Sequence, residues 1–286
     1  MASYRWQQYT CAYEVHNADA QGTPLLLIHP IGVGLAGQFW HPFVAQYSDR
    51  PVYVPDLLGC GKSDLPRRPY YPKDWAEQLH GLIKEVIRQP VIIVVQGALL
   101  PVALELMADK TMTQDIVGAA LSGPPAWKLI TELASRPQLN WSLFASPLGW
   151  LFYQYARTQK FLRSFSERQL FDCPEDVTDA WLAMLHQGSR DMATRYAVFS
   201  FLAGFWRQDY GGAISSIQQP ILVIMGESAS TIDRTAQDTT GQKRLDSYIH
   251  HFANARGVAI PGRNVLPYES TAEFIDVLQP FVKELG

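Results

Sequence analysis

Short apolar runs separated by amphipathic stretches organise this chain. Residues 23–29 and 91–95 are continuous apolar segments that end in a turn, the pattern of strands buried on both faces. Residues 52–56, 116–121, 221–225 and 258–260 read the same way. Tyr4, Trp6, Tyr9, Cys11, Tyr13 and Val15 alternate with more polar neighbours, which predicts a pair of edge strands. Over residues 72–87, Trp75, Leu79, Leu82, Ile83 and Val86 fall on one helical stripe. Residues 32–47 read as a loop followed by a helix, and Pro101 suits the first turn of a helix that follows residues 91–95. Ser270 and Glu273 form a capping-box pattern ahead of Phe274, Val277, Leu278 and Phe281. Strands alternating with helices predict an α/β fold: a mostly parallel central sheet flanked by helices.

Between Gly123 and Gly212 the rhythm changes. No buried-strand pattern occurs there, and the segment carries half of the aromatic residues. It reads as a helical cap subdomain (residues 123–212) inserted after the sixth strand, with residues 1–122 and 213–286 forming the core. The 286 residues suffice for that arrangement. A net charge of −3 with scattered basic residues argues against a nucleic-acid partner. No apolar run reaches membrane-spanning length. Three cysteines without metal-ligand spacing, and an opening MASYRWQQYT that lacks the features of a signal peptide, lead to the expectation of a cytoplasmic protein with neither metal nor cofactor.

Three motifs carry a resemblance. Asp56-Leu57-Leu58-Gly59-Cys60-Gly61-Lys62-Ser63 resembles the D-x-x-G-x-G-x-S stretch that follows the fourth strand of α/β-hydrolases. His29-Pro30-Ile31-Gly32 is similar to the H-G-x-G loop after the third strand, and Pro261-Gly262-Arg263-Asn264-Val265-Leu266-Pro267 to P-G-x-G-H-x-P. The resemblance covers most of the chain outside the cap. It implies an α/β-hydrolase fold, with a nucleophile elbow G-x-S-x-G at residues 95–99, an acid at position 229 and a base at position 265. The residues standing there are Gly97, Ala229 and Val265. No Ser, Cys or Asp lies between Lys84 and Ala108, and no histidine follows His251, so the first and last vacancies hold in any register. The neighbours have changed as well. Val95 and Leu99 replace small elbow residues, and Pro30 removes one amide donor from the oxyanion loop while the Ile31 amide stays available.

A Ser-His-Asp mechanism needs a nucleophile, a base in contact with it and a group that orients the base. With all three missing, the sequence predicts a catalytically inactive hydrolase-like protein. Its candidate pocket, which lies beneath an aromatic cap and binds an apolar small molecule, is lined by His29, Ile31, Gln96, Gly97, Ala98, Ser122, Trp150 and Val265. Gln96 either points into that pocket or holds the strand end; His29 reads as a structural histidine, and Cys60 as a small packing residue. One alternative is a scaffold acting through the cap surface, with a protein partner or a peripheral membrane contact. The other is an enzyme that uses non-triad groups, such as His29 with Asp56 or Asp233.

Overall fold

The computed structural model describes residues 1–230 and 240–286; Asp233 lies outside them. Among the described residues eight strands form one sheet: β1 (Ala2–Trp6), β2 (Tyr9–His16), β3 (Leu25–Ile28), β4 (Val52–Pro55), β5 (Val91–Gln96), β6 (Ile116–Ser122), β7 (Ile221–Gly226) and β8 (Ala255–Ile260). Their spatial order is β1-β2-β4-β3-β5-β6-β7-β8. The β1/β2 and β2/β4 pairings are antiparallel and the remaining pairings are parallel.

The core explains why the central strands are apolar throughout. Leu25 and Leu27 of β3, with Ile92 and Val94 of β5, enter one hydrophobic cluster. Their alternate neighbours Leu26, Ile28, Val91, Ile93 and Val95 enter a second one on the opposite face. Successive side chains of a strand point to opposite faces, so a sheet covered twice needs apolar residues at every position. The first face is covered by α1 (His41–Gln46) together with a C-terminal helix described below. The second is covered by α2 (Pro72–Leu82) and α3 (Leu100–Ala108).

Between β6 and β7 the chain forms α4 (Trp127–Thr131), α5 (Pro137–Phe144), α6 (Pro147–Ala156), α7 (Gln159–Phe165), α8 (Asp179–Gly188), α9 (Arg195–Ala203) and α10 (Gly211–Ser216). Next come α11 (Gly241–His251) between β7 and β8, then α12 (Leu266–Glu269) and α13 (Thr271–Glu284), the helix that joins α1 on the first face. The α8 end of the helical segment meets the loop after β3 at two glycines. A Cβ on Gly34 would come within 1.9 Å of the Leu185 carbonyl oxygen, and one on Gly188 within 2.1 Å of the Gly34 oxygen. Gln38 Nε2 adds hydrogen bonds to the carbonyls of Gly34 and Met184.

Three details depart from the sequence reading. β2 lies inside the sheet between β1 and β4, so β1 alone of that pair is an edge. β8 starts at Ala255 rather than Val258; as an edge strand it leaves Arg256 and Gly257 exposed, and they carry no apolar signal. The Ser270 hydroxyl donates to the Pro261 carbonyl at 2.7 Å instead of capping α13, so the expected capping box does not form. With α12 running directly into α13, that hydroxyl pins the β8 loop rather than a helix end.

Candidate functional site

The turn after β5 has the geometry its sequence implies. The chain passes from Gln96 (φ −101°, ψ 122°) to Gly97 at φ +66°, and a short 3-10 turn leads into α3, with Pro101 in its first turn. Positive φ costs glycine little and other residues more. A Cβ on Gly97 would meet no heavy atom within 4 Å, so open space lies in front of the turn. Gly97, Ala98 and Ile31 all keep some accessible surface.

Gln96 is buried and directed along the strand ends. Its Oε1 accepts from the Ser122 hydroxyl at 2.6 Å, and its Nε2 donates to the Asn264 carbonyl at 2.8 Å. Asn264 extends the bridge: its Nδ2 donates to the carbonyls of Gln169 (2.7 Å) and Ser230 (3.1 Å), and its amide to that of Leu170. One polar chain thus ties the ends of β5 and β6 to the loops after β7 and β8 and to the helical segment. Asn264 was not singled out from the sequence. The available signal was an amide side chain where P-G-x-G-H carries its second glycine.

Ala229 follows β7, buried in a turn closed by its own amide on the Gly226 carbonyl at 3.0 Å. Val265 is 2% exposed and belongs to the hydrophobic cluster on the α13 face. Gly97, Ala229 and Val265 therefore stand at the C-terminal ends of β5, β7 and β8, with apolar side chains or none.

His29 is fully buried. The Leu57 amide donates to its Nε2 at 3.2 Å, which leaves Nδ1–H to donate to the Pro30 carbonyl at 2.8 Å. Burial holds its pKa below the usual histidine value. Both ring nitrogens are committed, and the neutral tautomer follows from those partners. The Asp56 carboxylate accepts from the amides of Gly37 (2.8 Å) and Lys62 (2.7 Å). Ser63 donates to the Asp56 carbonyl and accepts from the Ala12 amide, so this motif fastens its own loop to β2. Burial raises the pKa of the Cys60 thiol well above the ordinary range, which keeps it un-ionised and unreactive.

Trp150 is 43% exposed and lines a surface groove of about 320 Å³ with Arg67, Ser146, Arg195 and Tyr196. Among the described residues no group of three or more His, Cys, Asp or Glu side chains could hold a metal ion. No helix there is long and apolar enough to cross a membrane.

A parallel sheet with a positive-φ turn between its fifth strand and the next helix, and with loops from β7 and β8 converging beside it, defines a hydrolase-type scaffold. The sequence pattern of the alpha/beta hydrolase family matches residues 25–277, and the chain belongs to that family. No curated protein matches it in sequence. Among solved structures, a meta-cleavage product hydrolase from Pseudomonas fluorescens is similar at 17% identity, with a TM-score of 0.77 over 100% of this chain and 98% of that one. The enol-lactonase from Burkholderia xenovorans has 17% identity and a TM-score of 0.74 over 99% and 100% of the two chains. A thermophilic esterase from Thermogutta terrifontis has 16% identity and a TM-score of 0.74 over 97% and 94%. At these identities the likeness is one of fold.

Proposed function

We propose that this chain is a non-catalytic α/β-hydrolase that holds a small apolar molecule in the space before Gly97, with residues 123–212 as its cap. The observation that carries this reading is a turn that keeps its positive φ and leaves room for a side chain it does not have. The polar side chains nearby already have partners: Gln96 the Ser122 hydroxyl and the Asn264 carbonyl, and His29 the Leu57 amide and the Pro30 carbonyl. What can face a ligand is then mainly apolar surface plus the amides of Ala98 and Ile31. The Ala98 amide belongs to the first residues of a helical turn, which have no partner in the helix's own ladder. A ligand with an apolar body and one carbonyl suits such a lining. Esters and lactones, the compounds for which two of the structural neighbours are named, belong to that class.

The neighbours' activities also favour a second reading, an enzyme working through other groups. It lacks a free base among the described residues considered for that role, because His29 has both nitrogens engaged and Asp56 accepts two backbone amides. Native mass spectrometry of the freshly purified full chain tests the first reading. The expected result is one retained small molecule per chain, lost in Ala98→Trp, with an unchanged circular dichroism spectrum. Protein that carries no ligand and gains no thermal stability from a panel of esters and lactones would overturn it. So would ester turnover above the buffer rate, which supports the enzyme.

A further inference from the structure

The α5–α6 hairpin leaves unusually large apolar side chains in water. Leu139 and Leu143 on α5, and Leu148, Trp150, Leu151 and Tyr155 on α6, are all exposed, Leu148 at 66%. Spacings of four residues on α5, and of three and four at positions 148, 151 and 155, put these groups on outward helical stripes. The inward side of the same hairpin is ordinary core: Trp141 and Tyr153 are buried, and the Phe144 ring stacks on Phe199 at 5.4 Å. Packing within the chain therefore does not account for the outward leucines. Single exposed leucines are normal in soluble proteins, but a cluster on consecutive helices marks a contact surface.

The charge around this surface is one-sided. From Leu133 to Ser166 there is no Asp or Glu, while Arg136, Arg157, Lys160 and Arg163 contribute four positive charges. This stands out in a chain whose total is −3. Arg163 is partly neutralised from α8 by Asp179 at 2.8 Å, and it lies 3.9 Å from Glu167; Arg136 and Lys160 are exposed. Beside Trp150, the groove adds two further cations, with Arg67 5.8 Å and Arg195 4.2 Å from the Tyr196 ring centroid. None of the residues lining that groove is acidic.

Leucine and tryptophan on the outward face, no acid on α5 or α6, and cations at the margin, of which Arg163 is paired with Asp179 and Glu167, are the pattern of helices that lie in the headgroup region of a negatively charged membrane. The helices are too short to span. At 8 and 10 residues, α5 and α6 extend about 12 and 15 Å, against a hydrocarbon core of about 30 Å. A second copy of this chain fits less well, because a two-fold contact would set the same cations against each other. We infer that the α5–α6 face docks on an anionic bilayer surface. Leu148, Trp150, Leu151 and Tyr155 enter the interface, and the Arg67–Arg195 groove beside Trp150 receives a lipid phosphate. This inference stands apart from ligand binding before Gly97, and either can fail alone.

Flotation of the full chain with vesicles tests it, using equimolar phosphatidylcholine and phosphatidylglycerol against phosphatidylcholine alone. The chain should float with the anionic vesicles and much less with the neutral ones, and added salt should release it. Replacing Arg136 and Lys160 by glutamine should weaken anionic binding roughly 25-fold, at about fivefold per charge. Leu148→Asp with Leu151→Asp should abolish flotation; both side chains are exposed, so near-UV circular dichroism and the melting temperature should stay unchanged. Brominated lipid should quench tryptophan emission in the parent and less in Trp150→Phe. Failure to float with anionic vesicles overturns the inference, as does flotation that survives the double aspartate variant. Failure to float, together with a concentration-dependent dimer that the aspartates dissolve, overturns it in favour of self-association.

Discussion

Replacing Gln96 by leucine tests whether the polar chain across the strand ends is structural. Leucine is an apolar side chain of similar size and can make neither of glutamine's hydrogen bonds. The Ser122 hydroxyl, 2.6 Å from Gln96 Oε1, and the Asn264 carbonyl, 2.8 Å from Nε2, both lose their partner. Gln96 is 1% exposed and Ser122 fully buried, so water does not readily substitute. An unsatisfied buried group costs about 1–3 kcal/mol, and leucine recovers part of this through apolar burial, so a net loss of about 2–4 kcal/mol is expected. For a chain of this size that corresponds to a fall in melting temperature of roughly 3–7 °C. Urea unfolding followed by far-UV circular dichroism measures it, with an unchanged slope required if only stability has moved. Ser122→Ala closes a double-mutant cycle. Alone it strands Gln96 Oε1, whereas in the leucine background it removes a hydroxyl already without a partner, so the two effects should couple by about 1–2 kcal/mol. A loss below about 1 kcal/mol, or additive single effects, would refute the structural role. If the retained ligand also disappeared from a Gln96→Leu protein of normal stability, Gln96 would be a ligand contact instead.

Gly97→Ser should fold with a loss of about 1–2 kcal/mol from its positive φ, and intact mass after incubation with an activated ester should show no acyl adduct if, as the proposed reading has it, Val265 stands in place of a base; a stoichiometric adduct would contradict that reading. Burial lowers the pKa of His29 from its usual 6.5, so the unfolded chain takes up that proton first. Stability should be full above about pH 6.5 and fall by up to about 1.4 kcal/mol per pH unit below it, levelling off at the folded pKa. Glu105 and Glu269, whose pKa values are raised by burial, contribute with the opposite sign: their stabilisation is present below the unfolded value and lost as pH rises through the folded one. Comparing melting curves of the parent and His29→Gln between about pH 7 and 5 isolates the histidine, and identical slopes would refute its neutral burial. Gly188→Ala drives a methyl to within 2.1 Å of the Gly34 oxygen, so α8 must retreat; we expect a loss of about 1–3 kcal/mol and faster proteolysis of residues 123–212, and unchanged cleavage would refute the contact.

The buried strands were legible because burial on both faces leaves a local mark, an apolar residue at every position of β3 and from Val91 to Val95 of β5. The absence of Ser, Cys and Asp between Lys84 and Ala108, and of histidine after His251, was legible for a different reason: it concerns residue types over long stretches and needs no geometry. Other features needed the folded chain. Gln96 was undecided between pocket and strand end, and its partners lie 26 and 168 positions away. Asn264 became a hub only once β7, β8 and the helical segment met. Ser270 matched a capping pattern yet spends its hydroxyl on Pro261, and Trp150 looked like pocket lining yet faces solvent. Local sequence therefore determined which segments are strands and helices, and which residue types are absent around Gly97 and Val265, because periodicity and composition are properties of neighbours along the chain. The directions of polar side chains, and which aromatic faces remain uncovered, were decided by tertiary structure, because each depends on a partner brought in from a distant part of the sequence.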